Sequence, residues 1–207
     1  MENTLNKKEL DDVFIDVRKS YRLLYSYQRR VMDLVQFIGT HYGFQYVQGW
    51  SEFSSAREPK KLKLNNSAWD MLGMYCFTFQ FSTKDFGKYK NIELLVVLVN
   101  DTGFYDISKN RKDRVHIDKF SDVNDAKTQL HLCLKTTNQD WSFYHHEMFK
   151  ASSKNEYTEK TDISDLLIGK KYNLSDFMNE ENTLMQLKDF EDFCIKNGII
   201  LRPKKTD

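Results

Sequence analysis

The residues of this 207-residue chain whose types and spacing most suggest chemistry are Arg18, Arg22, Tyr25 and Arg29. At about 100° per residue they fall within about 60° of one another on a helix, away from the apolar positions of the same stretch. Guanidinium groups at that spacing track phosphates, and a tyrosine between them stacks on bases. Arg and Tyr are equally good anchors for a protein partner. Asp11 and Asp33 share this face and dilute its charge. The plainer reading is a solvated face with long side chains lying over apolar neighbours. A second basic segment, Ser54 to Asn66, sets Arg57, Lys60, Lys61 and Lys63 against one acid, Glu58. Lys60, Lys61 and Lys63 therefore extend the candidate surface for a protein or nucleic-acid partner.

Metal chemistry has weaker support. His116 with Asp118, and His131 with Cys133, are two apart and would point the same way from a strand, while His145, His146 and Glu147 form a local cluster. None makes the paired spacing of a zinc site, so no metal is expected. A metal-dependent nuclease or hydrolase would need strand acids that converge, and Asp70, Glu93, Asp101 and Asp106 are the candidates. Glu58-Pro59-Lys60 and Asp125-Ala126-Lys127 have the acid-x-Lys spacing, but a chain with 30 acids and 31 bases produces several such triplets by chance. Glycine-rich phosphate loops and the GxSxG elbow are absent, so no cofactor and no catalytic residue are assigned.

The elements that must position these residues follow from periodicity. Residues 9–40 read as one long helix, with Leu10, Val13, Val17, Leu24, Tyr27, Val31, Leu34, Val35 and Ile38 on a single apolar stripe. Such a helix is long enough to cross a whole sheet. Gly39 and Gly43 bracket its exit. Phe44 to Phe53 alternates as a strand, placing Phe44, Tyr46 and Trp50 on one face. Tyr75, Phe77, Phe79 and Phe81 form an aromatic row in a second strand, and the helix stripe is its expected cover. Ile92 to Val99 reads as a strand buried on both faces, and Thr128 to Thr136 as another strand. Ala151 to Asp162 reads as a connecting loop, Asp165 to Ile168 as the start of a short helix, and Asn182 to Lys196 as a helix stopped by Asn197-Gly198.

The fold expected is α+β: a long N-terminal helix on a mainly antiparallel sheet of four to five strands, then C-terminal helices. One domain should span residues 1–207, with the sheet in 44–136 and a helical region in 163–198. Forty per cent hydrophobic and 14% aromatic content is enough for a packed core. A net charge of +1 exerts no global pull on nucleic acid or membrane. Met1 to Asp12 lacks the apolar core of a signal peptide, no run reaches the length of a membrane span, and Cys76, Cys133 and Cys194 lie far apart in apolar runs. These features point to a cytoplasmic protein with reduced cysteines. The Lys, Asn, Phe and Tyr usage with two prolines hints at an A/T-rich genome, from which a bacterial source is the expectation. Negative chemistry with generous aromatics makes a non-catalytic interaction module or accessory subunit the first expectation. Nucleic-acid binding is the second and a cryptic metal-dependent hydrolase or nuclease the third.

Overall fold

Asn6 starts the first helix by a reciprocal cap. Its side chain accepts from Glu9 N–H at 3.1 Å, and its own N–H donates to the Glu9 carboxylate at 2.8 Å. In the computed structural model, which describes residues 6–51, 75–86, 89–103, 118, 120–136, 154–160 and 166–204, the helix α1 runs Lys7–His41. Gly43, at φ +71°, ends it: Gly43 N–H donates to Thr40 C=O and Phe44 N–H to Gly39 C=O. This doubly bonded exit needs a left-handed residue that glycine adopts without strain. Thirty-five residues make a rod of about 52 Å.

Among the described residues six antiparallel strands follow: β1 Gln45–Ser51, β2 Cys76–Phe86, β3 Tyr89–Val99, β4 Gln129–Lys135, β5 Glu156–Lys160 and β6 Leu166–Asn173. Their spatial order is β1-β2-β3-β4-β6-β5. A 3₁₀ turn, Leu174–Phe177, then leads into helix α2, Glu180–Lys196. Helix α2 exits as α1 does, with Gly198 at φ +82° and Ile199 N–H bonded to Cys194 C=O.

The sheet is therefore wider than the four to five strands expected, and residues 163–198 are not wholly helical. Leu166, Leu167 and Ile168 are all buried, because β6 lies between β4 and β5 with cover on both faces. A short apolar run of this kind does not reveal its period. The polar segment expected to be a loop contains β5, which pairs with β6 and is the last strand in the order among the described residues, a place where charge is tolerated.

A second difference lies in β1. Tyr46 pairs with Phe81 and Gln48 with Gln80, so Val47 is an extra residue against one step of β2. The bulge reverses the alternation. Tyr46 stays with the helix-side core, where its ring meets Phe81 edge-on, whereas Trp50 packs on the opposite face of the sheet.

The helix-side face is wholly apolar at its centre. Phe77, Phe79 and Phe81, Leu94, Val96 and Leu98 are buried against Val31, Val35 and Ile38 of α1, and against Leu187 and Phe190 of α2. The expected cover of the aromatic row is thus present for its three phenylalanines. Tyr75 precedes β2 and packs on Phe120, with ring centroids 5.3 Å apart. At Gly39 the helix comes so close that a Cβ there would lie 2.3 Å from the Phe81 ring. Gly39→Ala should therefore lower stability by about 1–3 kcal/mol, overpacking outweighing the ~1 kcal/mol helix-propensity gain. A urea-unfolding midpoint at or above the parent's would show that Phe81 moves aside freely.

Lys170 ties α2 to the sheet edge. Its ammonium lies 2.8 Å from Asp189 of α2 and 3.0 Å from Glu156 of β5, and these partners raise its pKa despite the opposing desolvation. Tyr172 donates to Asp189 at 2.8 Å, and Tyr42 donates to Leu187 C=O at 3.1 Å, joining the end of α1 to α2.

Candidate functional site

Among the described residues it is the second half of α1 that packs on the sheet. Val31, Met32, Val35 and Ile38 are 0–3% exposed, whereas Leu10, Val13, Phe14, Val17, Tyr21 and Leu24 are 41–61% exposed. These sets are faces of the same stripe. Eighteen residues make about five full turns, so Val13, Phe14 and Val17 stand directly in line with Val31, Met32 and Val35. The first half of the stripe was expected in the core. It is exposed because a six-strand sheet is roughly 24 Å wide, less than half the length of the helix.

The boundary between the halves is built from specific contacts. Tyr27 donates to Asn100 Oδ1 at 2.6 Å, at the end of β3, and burial pushes its pKa up to about 12. Arg30 donates to Met178 C=O. Here a groove of about 430 Å³ opens between α1 and the β6–α2 connection, lined by Tyr27, Val31, Leu34, Leu174, Phe177 and Met178. The groove continues the exposed stripe into the body of the protein.

The expected binding residues separate into two groups. Arg18, Arg22 and Arg29 are exposed on the projecting and boundary turns of α1, facing away from the apolar stripe, and Tyr25 is half-buried. Lys60, Lys61 and Lys63 lie outside the described residues. So do Asp70, Asp106, His116, His145, His146 and Glu147.

The remaining candidate acids do not converge. Glu93 and Asp101 are eight positions apart along and just beyond β3, roughly 26 Å at the strand rise. Asp101 serves its turn, accepting from Gly103 N–H at 2.8 Å. Among the described residues no group of three or more His, Cys, Asp or Glu side chains could hold a metal ion.

The face of the sheet turned away from α1 carries a buried polar row that the sequence pattern only half revealed. His131, Cys133 and Lys135 alternate with Leu130, Leu132 and Leu134, and they stand opposite Val97, Leu95 and Glu93 of β3. Thr78, Gln80, His131 and Lys135 are all buried there, and Gln48 Nε2 donates to Gln80 Oε1 at 2.8 Å. The signal for Lys135 was its parity with His131. Burial, with a smaller contribution from Lys171, drives the His131 pKa down to about 3, so the imidazole is neutral. Burial likewise raises the Cys133 thiol well above the ordinary range, which makes it unreactive, and Cys76 and Cys194 are also buried and free.

Fold and surface together define an α+β protein built on a fully antiparallel sheet, with half of its longest helix presented beyond the sheet. Residues 7–199 match the profile of the family described as PM0109, and the chain belongs to that family. The match begins at the first residue of α1, so the projecting half is inside the family unit. Uncharacterized protein PM0109 of Pasteurella multocida (strain Pm70) is similar, at 25% identity over 199 residues, covering 89% of this chain and 95% of the relative. No solved structure matches. No helix among the described residues is long and apolar enough to cross a membrane.

Proposed function

We propose that this chain is a non-catalytic protein-interaction module of the cytoplasm that docks a protein partner on the projecting half of α1. The observation that supports this reading is the row of six large apolar side chains on Leu10 to Leu24, 41–61% exposed and in line with the stripe that fills the core. A contiguous apolar face rimmed by charge is the usual form of a protein-docking surface. Arg18, Arg22, Tyr25 and Arg29 form the polar flank of that surface, where they set orientation and association rate more than affinity.

The test is a comparison of the parent with the double variant Val17→Glu, Leu24→Glu, as full-length proteins in the native host and in titration with the partner recovered. Both sites are exposed, so stability should change by no more than about 0.5 kcal/mol per site, while affinity should fall more than tenfold. A folded double variant that keeps the parent's partners at unchanged affinity overturns the reading.

A second reading has one specific observation in its favour. Residues 17–30 carry Arg18, Lys19, Arg22, Arg29 and Arg30 with no acid, a local basic segment on an otherwise balanced chain. Nucleic acid held there would show strong salt dependence. Replacing Arg18, Arg22, Tyr25 and Arg29 together by Ala should then reduce the salt slope by about 1 per lost phosphate contact. An unchanged slope removes this alternative.

A further inference from the structure

We propose that the groove where α1 meets the β6–α2 connection binds a small amphipathic carboxylate, an alkyl acid of medium chain length, with its chain along the apolar walls and its head on Arg30. This site lies beside the projecting face but does not depend on it, so the docking reading and this one stand or fall separately.

Shape supplies the first half of the argument. The groove, of about 430 Å³, has the size of a small-ligand site and is walled by three parts of the chain: α1, Thr128 at the start of β4, and residues 174–178. Val31 and Phe177 in its lining are buried members of the core, and Leu34 and Leu174 pack against that core, so the apolar floor is fixed by the folded interior. From Tyr27 to Leu34 the groove follows α1 for about 10 Å, the length of an octyl chain.

The second half is the distribution of polar groups. Most of those around the groove are spent inside the protein. The Tyr27 hydroxyl donates to Asn100 Oδ1 at 2.6 Å, Thr128 Oγ1 donates to Asn100 C=O at 2.9 Å, and Leu174 N–H donates to Thr128 C=O at 2.9 Å. Asp176, the acid of the connection, is turned to its own cap and accepts from Asn173 N–H at 3.0 Å. Arg30 is the exception. Its guanidinium gives one N–H to Met178 C=O, and among the described residues no carboxylate pairs with it. The bond to Met178 holds the guanidinium at the rim, and its remaining N–H groups are enough for a second, bidentate partner. A planar carboxylate matches that fork, a cation is repelled by it, and a wholly apolar molecule leaves its charge unused. An anionic head at one end of an apolar channel is the chemistry of an alkyl carboxylate.

The experiment titrates the full-length protein with octanoate and, separately, with octanol, both below the concentrations at which they self-associate, reading calorimetry and backbone amide NMR shifts. Octanoate should bind at least tenfold more tightly than octanol, with shifts centred on Leu34, Leu174 and Phe177. Arg30→Gln keeps an amide donor for Met178 C=O and removes the charge. Octanoate affinity should then fall at least tenfold, to that of octanol, while octanol binds as it does to the parent. Failure of octanoate to saturate the parent at millimolar concentration overturns the inference. So does equal affinity for the two compounds, or a shift map centred on Leu10 to Leu24, which would mean adsorption on the projecting stripe. Should Arg30→Gln not fold, the octanoate–octanol comparison on the parent, with its shift map, still decides.

Discussion

Phe79→Ala is expected to cost about 3–5 kcal/mol of stability, the largest effect of any single truncation on the helix-side face. Phe79 is fully buried, its ring centroid 4.8 Å from that of Phe77, and its backbone is held between Gly49 of β1 and Val96 of β3. Loss of the ring removes its transfer energy and leaves a cavity. The cavity cannot close easily, because ladders on both sides fix the strand and the glycine opposite has no side chain to offer. Reversible urea unfolding measures the change. A loss below about 1 kcal/mol would show that the helices do not seal this face.

The second large effect is a steep acid limb traced to one residue. His131 is buried on β4 between Val97 and Lys171, with Nε2 at 3.2 Å from Gln129 Oε1. Its folded pKa of about 3 lies below the unfolded 6.5, chiefly by desolvation and secondarily through the Lys171 charge. Between those values the unfolded chain binds a proton that the folded chain refuses. The stability from keeping this ring neutral is therefore complete above about pH 6.5 and lost progressively as the pH falls toward 3. One proton corresponds to a slope of about 1.4 kcal/mol per pH unit. His131→Leu should flatten the limb by that amount between pH 6 and 4, whatever it does to stability at pH 7. Parallel limbs for parent and variant would mean that His131 protonates in the folded state.

How far the sequence carried these conclusions depended on the element. Helix α1 was legible almost to its ends, 9–40 against Lys7–His41, because a long periodic stripe and a terminal glycine are local signals. The strands β3 and β4 were legible for the same reason, their apolar runs being bounded by turn residues. The bulge at Val47 was not, since one inserted residue changes every later parity in β1 without changing composition. Nor was β6, which has no alternation to read because both of its faces are covered.

The candidate site shows a different limit. The stripe from Leu10 to Ile38 is uniform in sequence, and nothing in it says where the supporting sheet stops. Only the width of six strands divides it into core and surface. The Arg/Tyr face was found from spacing, but the apolar face beside it, on which the proposed function now rests, was assigned to the interior. Lys135 was missed because a lysine in a strand is ordinarily taken to face water.

The reciprocal cap at Asn6 has a consequence for how α1 holds together. Its first five turns have no sheet beneath them, and a free helix of that length is marginal in water. They persist because the sheet-bound half acts as a permanent nucleus, from which the helix grows outward without a fresh nucleation cost, while the bonds between Asn6 and Glu9 restrain the far end from fraying. The rod is thus a spring clamped at one end and pinned lightly at the other. Its free half opens and closes on a small local free energy while the clamped half opens only with the whole domain.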